Sequence, residues 1–150
     1  PQSRWFYHCL ALFEVMLIAD RATIVAARIV LASGSPRRVE ILNSILKLDA
    51  KVVPSTFPED LDKSRFTPQE YVQENARRKA DEVFQRLASG GEMPSCVVGA
   101  DTVVVQGGRI LEKPRDAADA TRMLEALSGS THQVFTGCAL IYGSGGPHVS

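Results

Sequence analysis

The sequence predicts an α/β fold in which a mixed, twisted sheet is flanked by helices. Short β-branched segments alternate with segments whose apolar residues recur at helical spacing, and helix caps or glycine turns separate the two kinds. The run CVVGADTVVVQ at 96–106 is typical of a strand buried on both faces. A chain of 150 residues, 45% of them hydrophobic, suits one domain with a substantial core.

The first predicted elements are two strands with a helix between them. Residues 29–32 form a short buried strand, and residues 36–46 form a helix with Ser35 at its N-cap and proline at its first position. Residues 50–54 are predicted as the second strand. The polar, acidic stretch 55–66 is predicted as a loop.

A long helix is predicted next. Thr67 and Glu70 have the spacing of a capping box, with proline between them at the first helical position. The helix is expected to reach about residue 88, because the sequence Ser89-Gly-Gly91 then ends it.

The remaining pattern predicts a hairpin, a helix and a last strand. The strand at 96–106 is joined through the two-residue turn Gly107-Gly108 to a strand at 109–111. A helix over 116–127 is capped by its first residue and ended by the glycine after it, and 133–142 form the last strand.

The amino-terminal residues fall outside this pattern. Residues 5–19 are apolar, but His8 and Glu14 interrupt them, and the stretch is too short and polar for a membrane span. We expect residues 1–28 to be a helical extension, followed by one domain over 29–150, with no membrane partner.

Charge and cysteine content narrow the function classes. The 17 basic and 17 acidic side chains give zero formal net charge, whereas a domain that binds a nucleic-acid polymer usually carries a basic excess. No nucleic-acid polymer is therefore expected as a partner. Three widely spaced cysteines fit neither a disulfide framework nor a zinc site, which favours a reducing compartment and a cytoplasmic protein.

Two arginines stand at the start of the first predicted helix, where the macrodipole disfavours positive charge. In the turn LASGSPRR, Gly34 lets the backbone approach a ligand, Ser33 and Ser35 can donate hydrogen bonds, and Arg37 and Arg38 can bind phosphate bidentately. The alternative is a helix start with two solvated arginines. Spacing does not decide between them, because this turn is not a Walker loop.

Two charged residues interrupt apolar patterns. Lys79 falls within the apolar stripe of the long helix at about 100° per residue, so it must snorkel outward or meet an anion, while Arg77 and Arg78 are expected to face solvent. Asp101 lies inside the apolar run 96–106, where a carboxylate is costly unless it is paired, hydrogen-bonded or bound to metal. The alternative for Asp101 is a strand-end residue that bonds a neighbouring loop.

The pair Glu112-Lys113 follows the predicted hairpin, which can return Lys113 toward Asp101; a solvated edge strand is the alternative. The candidate residues are several cations and one buried acid, with no nucleophilic Ser-His or Cys-His pair among them. The lack of such a pair argues against covalent acyl chemistry. The cations and the acid favour phosphoryl chemistry on a nucleotide, in which a divalent ion neutralises charge and Asp101 orients a water or holds the metal.

Five ordered motifs, LASGSPRR, GADTVV, LEKPRD, MLEALSG and HQVFTG, closely resemble the Maf family of nucleoside triphosphate pyrophosphatases over about residues 29–142. The resemblance implies a fold related to the inosine triphosphate pyrophosphatases. It also implies hydrolysis of a nucleoside triphosphate to the monophosphate and pyrophosphate with Mg²⁺ or Mn²⁺.

Roles follow from the resemblance position by position. The implied catalytic residues are Lys79, Asp101 and Lys113, and the implied metal ligands are Asp101 and Glu59. The expected substrate contacts are Ser33, Ser35, Arg37, Arg38, Glu59, Thr102 and Glu112. The pattern of residues by itself indicates only a solvated loop position for Glu59.

Thr102 and Glu112 match the residues typical of the family branch that acts on dTTP and UTP. The resemblance therefore implies these two nucleotides as substrates.

Family members often form homodimers and occur fused to methyltransferase-like regions. They continue for about 40 to 50 residues beyond this point, so a domain incomplete at its C-terminus is expected. A nucleotide-binding or interaction module without turnover is the alternative function. The lack of a Walker or kinase-type loop argues against another phosphotransfer enzyme.

Overall fold

The computed structural model describes residues 28–111 and 113–142, and the predicted α/β architecture is confirmed there. The predictions for residues 1–27 and for Glu112 lie outside the described residues. The strands are β1 Ile29–Leu31, β2 Lys51–Val52, β3 Cys96–Gln106, β4 Arg109–Leu111 and β5 Gln133–Tyr142. The helices are α1 Pro36–Val39, continued by a π-helical turn at Glu40–Ile45, then α2 Pro68–Ser89 and α3 Ala117–Leu127, with a 3-10 turn at Lys63–Arg65.

Strand β3 is the centre of a mixed five-stranded sheet. β1 is parallel to β2 and β3, whereas β4 and β5 are antiparallel to β3. β5 pairs along one whole edge of β3, so β1 and β4 must share the other edge; β1 pairs with residues 96–98 and β4 with residues 104–106. Residues 99–103 therefore have no strand partner on that edge within the described part of the chain, and Asp101 lies in this gap.

The sheet separates two apolar layers, because successive strand residues point to opposite faces. Val97 and Ile141 pack with Ala80 and Val83 of α2. The adjacent Val98 and Leu140 pack on the other face with Leu42 of the π-helical turn. Helices thus cover both faces of the sheet. No helix in the described ranges is long and apolar enough to cross a membrane.

The predicted helix ends and turns are largely confirmed. The Thr67 hydroxyl accepts from the Glu70 amide and the Glu70 carboxylate accepts from the Thr67 amide, which completes the capping box of α2. Asp116 caps α3 by accepting from the Asp119 amide at 2.7 Å. Gly107-Gly108 forms the hairpin turn with φ of 55° and 77°, the left-handed region in which glycine is unstrained.

The first helix differs from its prediction. It is α-helical only over Pro36–Val39 and then widens into the π-helical turn, in which the Leu46 amide donates to the Ile41 carbonyl at 2.9 Å. Ser35 stands at the N-cap but its hydroxyl makes no capping bond. β2 is also shorter than predicted and comprises only Lys51–Val52; the Asn43 side chain binds both backbone groups of Ala50 just before it.

Two burial predictions are wrong. β3 is fully buried from Val97 to Asp101, but Thr102 is exposed and, of the residues after it, only Val105 is buried. Arg77 and Arg78 do not simply face solvent, because both are half-buried and pair with the Glu74 carboxylate, each at 2.7 Å.

Candidate active site

A buried lysine joins two carboxylates beside the gap in β3. Lys79 Nζ donates to Asp101 Oδ1 at 2.8 Å and lies 3.1 Å from Glu59 Oε2. Lys79 and Asp101 are 7% and 5% exposed, so each supplies the opposite charge that the other needs in the interior. The structure thus selects, for both residues, the paired alternative that the sequence left open.

Glu59 reaches this cluster from the loop after β2. Its φ of 54° lies in the left-handed region, a conformation that costs about 1 to 3 kcal/mol for a residue with a side chain. Both of its carboxylate oxygens accept from Lys113 Nζ at 3.3 Å. Burial raises the pKa of Glu59, but hydrogen bonds and charge from Lys79 and Lys113 outweigh burial and hold that pKa below its ordinary value.

Asn75 is a member of the cluster that sequence reasoning missed. It is fully buried, and its Nδ2 donates to Asp101 Oδ2 at 3.3 Å. Its Oδ1 has no hydrogen-bond partner among the described residues. Tyr71, Asn75 and Lys79 follow one another at four-residue spacing on the buried face of α2, so the helical pattern that singled out Lys79 also contained this signal.

The turn at residues 33–38, here called the arginine turn, follows β1. It lies next to the buried cluster formed by Glu59, Asn75, Lys79 and Asp101. Arg38 Nη1 donates to Ser33 Oγ at 3.0 Å and to the Ala100 carbonyl at 2.9 Å, and Nη2 donates to Thr102 Oγ1 at 3.1 Å. Arg37 is exposed and makes no hydrogen bond or ion pair with the described residues. The two arginines, which the sequence treats alike, therefore have different surroundings.

Two serines complete the turn. Ser33 is buried, and its hydroxyl oxygen accepts from the Ser35 amide at 3.3 Å as well as from Arg38. Because both contacts use lone pairs, the Ser33 hydroxyl hydrogen is still available to donate. Ser35 is half-buried and contributes its backbone amide rather than its hydroxyl.

A cavity of about 280 Å³ opens beside these residues. Glu59, Asp101 and Lys113 line its charged part, and apolar residues such as Val103 and Ile110 line the remainder. Thr102 lines the cavity as well, and through Arg38 it connects the cavity to the arginine turn. Contacts or the cavity lining thus connect the described candidate residues to the gap in β3, with the exception of Arg37, which no described contact places there.

The loop that carries Glu59 is held at its start by Glu82 of α2. The Glu82 carboxylate accepts from Ser55 Oγ at 2.8 Å, from the Thr56 amide at 3.0 Å and from Arg86 Nε at 2.7 Å. Arg86 also donates to the Pro54 carbonyl at 3.0 Å. Burial raises the pKa of Glu82, but the hydrogen bonds from Arg86, Ser55 and Thr56 outweigh it and lower that pKa from 4.5 to about 2.

We expect the Glu82→Gln variant to melt about 3 °C below the parent protein at pH 7. A folded-state pKa below the unfolded one means that the carboxylate stabilises the fold above pH 4.5 and loses this effect as the pH falls toward 2. Thermal melts from pH 7 down to pH 2.5 test this, with Glu125→Gln on the exposed surface of α3 as the charge-matched control. A melting deficit that stays constant over this range would contradict the prediction.

The described residues contain no group of three or more His, Cys, Asp or Glu arranged to hold a metal ion. Asp101 and Glu59 provide two carboxylates at one place, both contacted by Lys79. Mg²⁺ is commonly held in proteins by one or two carboxylates together with phosphate oxygens of a substrate. The residues present therefore fit a divalent ion that arrives with a polyphosphate.

Comparison with known proteins extends the sequence resemblance. A human protein named "Probable bifunctional dTTP/UTP pyrophosphatase/methyltransferase protein" is 53% identical over 123 residues, which cover 81% of this chain and 20% of the human one. A Clostridium perfringens protein named "dTTP/UTP pyrophosphatase" is 47% identical over 76% of this chain and 57% of its own length. A protein of the same name from Schizosaccharomyces pombe is 40% identical over 76% of this chain and 48% of its own.

The chain thus spans 57% or less of the length of these relatives. The family model described as "Maf-like protein" matches residues 28–149, which include both the arginine turn and the buried cluster. On this match, the chain belongs to the Maf family.

Proposed function

We propose that the protein hydrolyses nucleoside triphosphates, dTTP and UTP above others, to the monophosphate and pyrophosphate. The observation that carries this proposal is the buried Lys79 that joins Asp101 and Glu59 next to a phosphate-binding type of turn. A site with cations at its rim and an acid at its centre suits attack of water on a polyphosphate. The printed names of the relatives support the substrate class.

The triphosphate would lie across the gap in β3. The Ser33 hydroxyl hydrogen and the exposed Arg37 guanidinium supply donors on one side, and Lys113, exposed at the rim of the cavity, supplies positive charge on the other. These groups would hold the phosphates and neutralise charge that develops on the leaving pyrophosphate.

Asp101 would act on the attacking water. Its carboxylate orients the water and accepts a proton while the water oxygen bonds to the α-phosphorus and the bond to the bridging oxygen breaks, so that pyrophosphate leaves. Lys79 and Asn75 each occupy one oxygen of Asp101 and so hold the carboxylate in one orientation. Glu59 completes the charge balance of Lys79.

Mg²⁺ or Mn²⁺ is part of this proposal. Asp101 and Glu59 would hold the ion, which neutralises phosphate charge when it is bound.

We also propose a cytoplasmic protein, supported by the cysteine pattern, and a homodimer, supported by the family resemblance. Zero net charge supports a small nucleotide rather than a nucleic-acid polymer as ligand.

The test is pyrophosphate release by the purified chain from dTTP, UTP, CTP, ATP and GTP, each with Mg²⁺, with Mn²⁺ and with a chelator. We expect release to need the metal, and kcat/KM for dTTP and UTP to exceed that for ATP and GTP by at least about tenfold. Release of orthophosphate instead of pyrophosphate would contradict the proposal. Tight nucleotide binding with no release from any substrate would support the nucleotide-binding module.

A further inference from the structure

The gap in the edge of β3 contains the residues on either side of Asp101. Ala100 and Thr102 lie between the end of the β1 pairing at Val98 and the start of the β4 pairing at Val104. A strand segment that has lost its ladder partner on one edge is more easily displaced than its neighbours. The part of β3 that carries the central acid is thus the part that the sheet supports least.

Arg38 supplies the missing contacts on this edge. Its guanidinium donates to the Ala100 carbonyl and to the Thr102 hydroxyl, which flank Asp101 in sequence. Thr102 Oγ1 also lies 3.1 Å from Thr136 Oγ1 on β5, the residue opposite it in the register. A chain of hydrogen bonds therefore runs from α1 through Thr102 to β5 on one side of the acid, and Arg38 holds the Ala100 carbonyl on the other side.

The same contacts use the donors that a phosphate would need. The fork formed by Nη1 and Nη2 of Arg38 is directed at three protein acceptors, and the third is Ser33 Oγ. The neighbouring Arg37 is exposed, and its guanidinium makes no hydrogen bond or ion pair within the described part of the chain. Of these two arginines, Arg37 is the one that can direct its whole fork at a ligand without breaking bonds that hold β3.

We propose that Arg38 is a positioning residue that fixes the Asp101 segment of β3, and that Arg37 alone of the pair is the phosphate ligand. The kinetic part of this inference rests on the proposed function, but the positioning part does not. Loss of Arg38 should lower kcat because Asp101 moves, whereas loss of Arg37 should raise KM because a substrate contact is lost.

Hydrogen–deuterium exchange on the ligand-free protein tests the positioning part without any turnover. We expect the segment 98–104 to exchange at least about tenfold faster in Arg38→Gln, because two hydrogen bonds to it are lost, and within about twofold of the parent rate in Arg37→Gln. Arg38→Lys keeps the charge but not the fork and should resemble Arg38→Gln. Unchanged exchange of this segment in both Arg38 variants would overturn the inference.

Steady-state kinetics with dTTP tests the division of labour. Arg38→Lys should lower kcat at least about tenfold with KM within about threefold, and Arg37→Gln should raise KM about tenfold with a smaller change in kcat. Equal increases in KM for the two arginines would overturn the inference. A parent protein that releases no pyrophosphate would instead refute the proposed function and leave the exchange result to decide the role of Arg38.

Thr102→Val supplies a second check. It removes the hydroxyl that receives Arg38 Nη2, so its effect on exchange should be non-additive with Arg38→Gln and additive with Arg37→Gln. If the exchange effects of Thr102→Val and Arg38→Gln were additive, the hydrogen bond between these two side chains would not be what holds the segment.

Discussion

The Asp101→Asn variant is expected to release pyrophosphate from dTTP at least about 10³-fold more slowly than the parent protein. Asparagine keeps the size of the side chain but cannot accept a proton from water. Lys79 keeps Glu59 as a partner at 3.1 Å, so its charge is not left uncompensated. The variant should therefore fold and lose chemistry rather than structure.

Nucleotide affinity separates the enzyme from a binding module in this variant. One negative charge fewer beside the phosphates should leave the Kd for dTTP unchanged or lower it. Calorimetric titration with the variant measures this, and Asp81→Asn on α2, which removes a half-buried carboxylate that does not line the cavity, is the matched control. Retention of more than about a tenth of the parent kcat in Asp101→Asn would contradict the role of this acid.

The Gly99→Ala variant is expected to lose about 3 kcal/mol of the free energy of unfolding. A Cβ on Gly99 would overlap the Ala76 carbonyl oxygen and come within 2.9 Å of the Ala80 Cβ. Neither neighbour is the flexible end of a side chain, because both belong to the buried face of α2. The helix would have to move away from β3, and Lys79 and Asn75 would then move away from Asp101.

Chemical denaturation measures this loss, and Gly90→Ala is the matched control. Gly90 follows α2 with a φ of −80°, and a Cβ there would meet carbonyl oxygens only at 3.5 Å. We expect the control to change the free energy of unfolding by less than about 0.5 kcal/mol. Similar losses in both variants would show that close contact between α2 and the sheet is not what Gly99 provides.

The candidate site could be predicted from the sequence to the extent that its residues break a local pattern. Lys79 and Asp101 are charges within apolar runs, and both prove to be buried and paired. Glu59 required the family resemblance, because a glutamate in a polar loop breaks no pattern. Asn75 went unnoticed because a neutral amide within a helix looks ordinary until its burial and its bond to Asp101 are known.

The sequence by itself determined the order, type and most ends of the elements described here. The capping box at Thr67, the Gly107-Gly108 turn and the cap at Asp116 act through bonds between residues that are neighbours along the chain. Such signals need no knowledge of the rest of the fold. Local signals of this kind therefore predict the strands and helices, but they do not predict the order of the strands in the sheet.

Only the tertiary structure decided which residues of different elements meet in the site. The gap in β3 exists because β1 ends at Leu31, opposite Val98, and β4 ends at Leu111, opposite Val104, which no local pattern records. That gap separates the roles of Arg37 and Arg38, and the left-handed backbone of Glu59 is held by contacts with Lys79 and Lys113 far along the chain. Long-range pairing sets these features, because the energies that maintain them come from residues distant in sequence.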